Sequence, residues 1–134
     1  MGKYSDIDTG IHTIFSTTQW KSNNIATYPS NFENINGSEF LRVSIIPAGH
    51  GLNIRSISGI LNIEIFSPSG KGPKRFYTIS DTLDAYLVGK SKSTTTGVVQ
   101  FENSALDLKG LDKANPTLYM ALYSIPFNFY VTEA

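Results

Sequence analysis

The 134-residue chain has 11 basic and 11 acidic side chains, 40% hydrophobic residues, eight Phe, seven Tyr, one Trp and no Cys. That length and apolar content suit one globular domain with a real core and argue against a disordered chain. Charge balance removes the electrostatic case for wrapping nucleic acid unaided, and the missing thiols exclude disulfide staples and thiolate metal sites.

At the start, MGKYSDIDTGIHTIF places Asp6 and Asp8 where a secretory leader needs an uninterrupted apolar stretch. The residues after Met1-Gly2 do not form an acylation signal, and no run approaches the roughly 20 apolar residues of a membrane helix. A soluble intracellular protein is the expectation.

Ile7, Ile11, Ile14 and Phe15 fall on one helical face, predicting a short helix over 5–17. Ser5 with Asp8 suits its cap, Asp6 and Asp8 suit the positive end of its dipole, and Gly10 weakens it. His12 lies beside the apolar face. A polar, turn-rich stretch (19–24) leads to a short strand over 25–28. Turn chemistry follows at Pro29-Ser-Asn and Asn34-Ile-Asn-Gly-Ser.

Phe40 to Ile46 reads as a strand ended by Pro47, and Ala48-Gly-His-Gly51 as a flexible loop. A longer strand covers 54–66, with Ile57, Leu61, Ile63 and Ile65 on one face and Ser58, Asn62 and Glu64 on the other. These two runs are expected to pair antiparallel. Phe76, Ile79, Leu83, Tyr86 and Leu87 then repeat at helical spacing, with Pro73 suited to the first turn and Gly89 to the stop. Lys90 to Gly97 is polar and low in complexity, a mobile loop by composition. A short strand over 98–102 follows. Residues 103–116 form a long connection in which Leu106, Leu108 and Leu111 offer a further short strand or turn, and 117–131 is the longest β-run, in which Pro126 demands an edge position or a bulge.

The predicted class is α+β: one domain over 1–134, in the order α-β-β-β-α-β-β. A mixed, mostly antiparallel sheet of about five strands carries both helices on one face. The other face is left to solvent or a partner, and the aromatic last strand favours a partner.

Four features bear on chemistry. FSPSGKGPKRF (66–76) has the Gly70-Lys71 pair of a phosphate loop between a strand and a helix. The pattern needs an earlier Gly where Ile65 stands and a hydroxyl where Gly72 stands, and Pro73 removes an N–H, so the stretch reads as a turn. His12 and His50 have no metal-ligand spacing, and no Gly-x-Ser-x-Gly elbow is present. Asp81 and Asp84 share a helix face that is expected to be solvated. The bases Lys71, Lys74, Arg75, Lys90 and Lys92 gather within 22 positions around the second helix, whereas residues 1–41 hold Asp6, Asp8, Glu33 and Glu39 against Lys3 and Lys21. Surface scatter is the plain reading of this. The functional one is a basic and an acidic side that meet in a head-to-tail assembly.

FLRVSIIPAGHG (40–51) and SGILNIEIFSPSGKGPKRFYTISDTLDAYL (58–87), closed by LYMALYSIPFNFY (118–130), resemble the tail-terminator proteins of long-tailed, non-contractile phages. Element order matches over roughly 5–131, and residue-level similarity lies in 40–87 and 118–130. The short, glycine-broken first helix and the long 103–116 connection depart from many relatives. The resemblance implies a virion protein at the tail–head junction, assembled in the host cytoplasm. It would form a homo-oligomeric ring, a hexamer in the family, that caps the tail tube, stops its growth and docks the head connector while DNA passes through. It implies no catalytic residue, metal or cofactor. On this reading the loops at 48–55 and 90–97 and the basic cluster supply candidate assembly residues: His50, Arg55, Lys71, Lys74, Arg75, Lys90 and Lys92. The alternatives are another head–tail joining or tail-tube protein on a similar scaffold, and a small nucleotide-binding enzyme using the Gly70-Lys71 loop.

Overall fold

The structure is a computed structural model that describes residues 3–23, 25, 27–29, 39–50, 56–68, 74–94, 96–111 and 118–131. Three helices, α1 (Lys3–Phe15), α2 (Thr18–Lys21) and α3 (Lys74–Leu87), accompany seven strands. The strands are β1 (Thr27–Pro29), β2 (Phe40–His50), β3 (Ser56–Pro68), β4 (Ser91–Ser93), β5 (Gly97–Phe101), β6 (Ala105–Leu111) and β7 (Leu118–Val131). They form one sheet in the order β1-β2-β3-β7-β5-β4, with β6 also paired to β7. Only β1 runs parallel to its neighbour, so the fold is α+β with a mostly antiparallel sheet.

Alternation along the strands divides the sheet cleanly. Leu41, Val43, Ile57, Leu61, Ile63, Ile65, Val99, Phe101, Ala121, Tyr123, Ile125, Phe127 and Phe129 turn to one side. There they join Ile7, Ile11 and Phe15 of α1, Trp20 of α2 and Phe76, Ile79, Leu83 and Leu87 of α3 in a single core. Both long helices thus cover the same face, as expected of two helices on a sheet too wide for them to cover on both sides. Of the β7 aromatics, Tyr123, Phe127 and Phe129 point into this core, whereas Tyr119 is exposed and Tyr130 half-buried.

Several segments differ from expectation. α1 begins at Lys3, which puts Ser5 inside the helix and removes its capping role. Trp20 builds an unpredicted one-turn helix within the polar 19–24 stretch. Thr17 caps it by accepting from Trp20 N–H, and the indole packs edge-on against Phe15 and Tyr86 while donating to Thr27 Oγ1 at 2.9 Å. β2 continues through Pro47 to His50 by means of a bulge, so Ala48, Gly49 and His50 are strand residues and not loop. Beyond Val43 no described strand flanks β2 on its outer side, and an edge with a bulge is where proline is tolerated.

Lys90–Gly97 is likewise no simple loop. Ser91–Ser93 pairs with β5, and Asp6 of α1 holds the following turn. The 103–116 connection contains β6. Pro126 sits in the interior strand β7, contrary to the edge or bulge expected of it. β7 changes partners at that point: Phe127–Val131 pairs with β5 and Tyr119–Ser124 with β6. Glu102 N–H donates to Pro126 C=O at 2.9 Å. In an antiparallel strand a residue's N–H and C=O point the same way, so the N–H that proline lacks would have faced the gap between two ladders.

Candidate assembly surface

No helix covers the second face of the sheet among the described residues, and its side chains form cross-strand rows. Phe40 stacks on Phe66 with ring centroids 4.5 Å apart. In the next row Arg42 Nε donates to Glu64 Oε1 at 2.7 Å, and the guanidinium lies over the Phe66 ring at 5.0 Å. Ser44, Asn62 and Ser124 follow, with Ser124 Oγ donating to Asn62 Oδ1 at 3.0 Å. Further along, Ser58 Oγ donates to Asn128 Oδ1 at 2.8 Å and Asn128 Nδ2 to Glu102 Oε2 at 3.0 Å.

Between the two amide-bearing rows lies an apolar one. Ile46 pairs across β2–β3 with Ile60, and Ile60 pairs across β3–β7 with Pro126. Ile46 is 47% and Ile60 38% exposed, and Pro126 is exposed beside them. Sheet faces that meet water normally carry polar residues at such positions, so three aligned apolar ones in mid-face call for an occupant. Sequence reasoning did not single out this row, although it leaves a trace there. Ile60 interrupts Ser58 and Asn62, and Pro126 interrupts Ser124 and Asn128, each as an apolar residue in a polar series of period two.

The charged candidates are dispersed. Arg55 and Lys71 lie outside the described residues, as does the Gly70-Lys71 turn. His50 is placed by its backbone opposite Ile57, and its side chain is outside the description. Lys74 and Arg75 open α3. Lys90 and Lys92 lie beyond the far end of this helix of about 21 Å, so the basic residues do not form one patch.

Arg75 is held within the chain: its Nε and Nη2 donate to the two carboxylate oxygens of Glu39 at 2.6 and 2.8 Å. That bond, outweighing partial burial, raises the guanidinium above its already high pKa. Glu39 and Arg75, assigned by sequence to opposite charged sides, are one intramolecular pair. Asp8 pairs with His12 at 3.3 Å on the α1 surface. Lys92 lies in a shallow groove between α1 and β4, with Asp6, Thr9, Gly10, Thr13, Ser93 and Thr94.

Two helix carboxylates, Asp6 and the Asp84 expected on the solvent side, are structural ties. Asp6 is 1% exposed and accepts from Thr94 Oγ1 (2.6 Å), Thr96 Oγ1 (2.5 Å) and Thr96 N–H (2.9 Å). Gly10, one turn on, lets the helix approach: a Cβ there would lie 2.6 Å from Thr94 Cγ2. Asp84 turns toward the sheet, and its Oδ1 accepts from Tyr123 Oη and Ser104 Oγ, both at 2.6 Å. Asp81 stays exposed, so the two do not form a carboxylate pair facing a common space. Burial, then the bond to Asp84, pushes the Tyr123 hydroxyl well above the usual tyrosine range. Among the described residues no three His, Asp or Glu side chains group to hold a metal ion, and no helix is long and apolar enough to cross a membrane.

No family model and no curated protein matches this chain. Solved structures do: one protein without a functional name superposes with a TM-score of 0.65 at 13% identity, over 98% of this chain and 95% of its own. At that identity the likeness speaks for the fold alone.

Proposed function

We propose that the chain is a structural assembly protein of the tail-terminator kind, a ring-forming subunit that caps a phage tail tube and presents a docking surface to the head connector. The observation that carries this reading is the exposed row Ile46, Ile60 and Pro126, aligned across three strands on the sheet face that no described helix covers. A sheet with helices on one side only has a second face to offer, and burying an apolar row there is favourable at about 25 cal/mol per Å². The polar rows on either side have internal partners, so covering them strands few hydrogen-bonding groups. The tail-terminator identity itself comes from the resemblance of 40–87 and 118–130.

On this reading the protein works without making or breaking a bond. Identical subunits join through two different surfaces, since a self-matching patch would close as a dimer. The closed ring leaves no free subunit surface on which the tube could continue, and DNA passes through without sequence-specific contact. The test is solution mass together with electron microscopy, for the protein alone and after addition to purified tail tubes. Discrete rings, or rings seated on tube ends that then stop elongating, are expected. Unlimited fibres would favour a tail-tube subunit, and a protein that stays monomeric and ignores tubes would overturn the proposal. A midpoint of thermal unfolding raised by millimolar nucleotide would revive the nucleotide-binding alternative.

A further inference from the structure

Resting on that reading, we infer which two surfaces meet: the Ile46–Ile60–Pro126 row of one copy receives the Leu108–Tyr119 patch of the next. Among the described residues, the large apolar side chains left exposed on the sheet fall into two groups. Ile46 and Ile60 belong to the uncovered face. Leu108 (44% exposed) and Tyr119 (41%) belong to the helix side, because Leu108 stands opposite Ala121, and Tyr119 follows the same alternation along β7 as Ala121 and Tyr123. They are diagonal neighbours across β6–β7, at an end of that face the helices leave open. Two apolar patches on opposite faces of one sheet cannot both meet themselves in a closed pair. They can meet each other head to tail, which is the geometry a ring requires.

Charge selects the same occupant. On the first face Arg42 pairs with Glu64, and Asp107, which stands opposite Leu122, pairs with Lys109 at 2.7 Å; the ionic group next to Pro126 is the acidic Glu102. The chain's formal net charge is zero. A neutral protein surface with apolar anchors fits both patches, whereas a polyanion or an anionic bilayer would find no excess of positive charge to hold it. Strand addition at the sheet's margins is disfavoured. β1 and β4 have three residues each and β1 includes Pro29, the stretch of β2 beyond Val43 that no described strand flanks is broken by Pro47 and a bulge, and β6 carries Asp107, Lys109 and a bulge at Gly110 with φ +92°. The copies are therefore joined through faces, not edges.

The experiment uses Ile60→Lys and Leu108→Lys in the full chain, with Tyr77→Lys on the exposed side of α3 as the control. Each is followed by light-scattering mass in the condition, alone or with tail tubes, where the unmodified chain assembles. Circular dichroism and thermal unfolding should match the unmodified protein, as all three sites are on the surface. Ile60→Lys and Leu108→Lys are each expected to be monomeric and the control to assemble. An equimolar mixture of the two variants should give a species of twice the monomer mass, since one intact row then meets one intact patch and growth stops there. Variants that assemble normally, or a mixture that stays monomeric, overturn this pairing and leave the ring reading standing. An unmodified chain that halts at a dimer, or that assembles in neither condition, overturns the ring reading and the pairing together.

Discussion

Replacing Asp6 by alanine tests whether a buried carboxylate fastens the β4–β5 hairpin to α1. Three donors converge on Asp6: the hydroxyls of Thr94 and Thr96 and the Thr96 amide. A hydrogen bond to a charged group contributes about 1.5–3 kcal/mol net. Thr94 Oγ1 keeps a second acceptor, Gly97 C=O at 2.9 Å, so its loss is small. The two Thr96 donors lose their carboxylate acceptor, and removing a buried charge returns part of the cost of desolvating it. The balance is a loss of about 3 kcal/mol, taken from the lower end of that range for the two Thr96 bonds. At about 4 °C per kcal/mol for a domain of this size, the unfolding midpoint should fall by about 12 °C. Urea unfolding and a thermal scan measure the loss, and amide exchange at Thr96 localises it. Asp6→Asn, which keeps one acceptor oxygen, should fall between wild type and Asp6→Ala. A midpoint within about 2 °C of wild type, with the Thr96 amide still protected, would refute the reasoning.

Three further outcomes are expected. Gly59→Ala places a Cβ 2.6 Å from Phe127 Cζ and 2.8 Å from Ile46 O, so the Phe127 ring must leave its place in the core. A loss of about 1–3 kcal/mol in urea unfolding should follow. Gly89 ends α3 at φ +69° with nothing within 4 Å of a built Cβ, so Gly89→Ala should cost only the backbone term, about 1 kcal/mol, and Gly89→Asn less. Tyr123 keeps its proton in the folded state beyond the pKa near 10 at which the unfolded chain releases it. Its contribution is thus complete below pH 10 and is lost as pH rises above it. In an absorbance titration at alkaline pH this tyrosine should ionise last and together with unfolding, a coupling that Tyr123→Phe abolishes.

The long elements were legible because burial on one side imposes a period. Ile7, Ile11 and Phe15 mark α1, Phe76 to Leu87 mark α3, and Ile57 to Ile65 mark the covered face of β3. α2 and β4 escaped because each owes its place to distant partners. Trp20 is held by Phe15 and Tyr86, and Ser91–Ser93 by β5, with Asp6 tying the turn that follows from some ninety residues away. No local pattern announces such ties. Asp84 misled for the same reason: an acidic residue on a helix reads as solvated unless its hydroxyl partners are known. The charged cluster around α3 drew attention to assembly through ions, yet Arg75 is satisfied by Glu39. The more promising surface is apolar and lay in the breaks at Ile60 and Pro126.

The strand that binds three others is also the last one described. β7 forms thirteen registered pairs with β3, beginning with Ser56 opposite Tyr130, and additionally supplies the ladders for β5 and β6. A nascent chain cannot knit this sheet together until residue 131 has cleared the ribosome, so β2–β3 must wait as a bare hairpin with half its interior showing. Such late closure slows folding and exposes the intermediate to sticking. Production at low temperature or with chaperones should raise the yield of soluble protein more than any change to its surface.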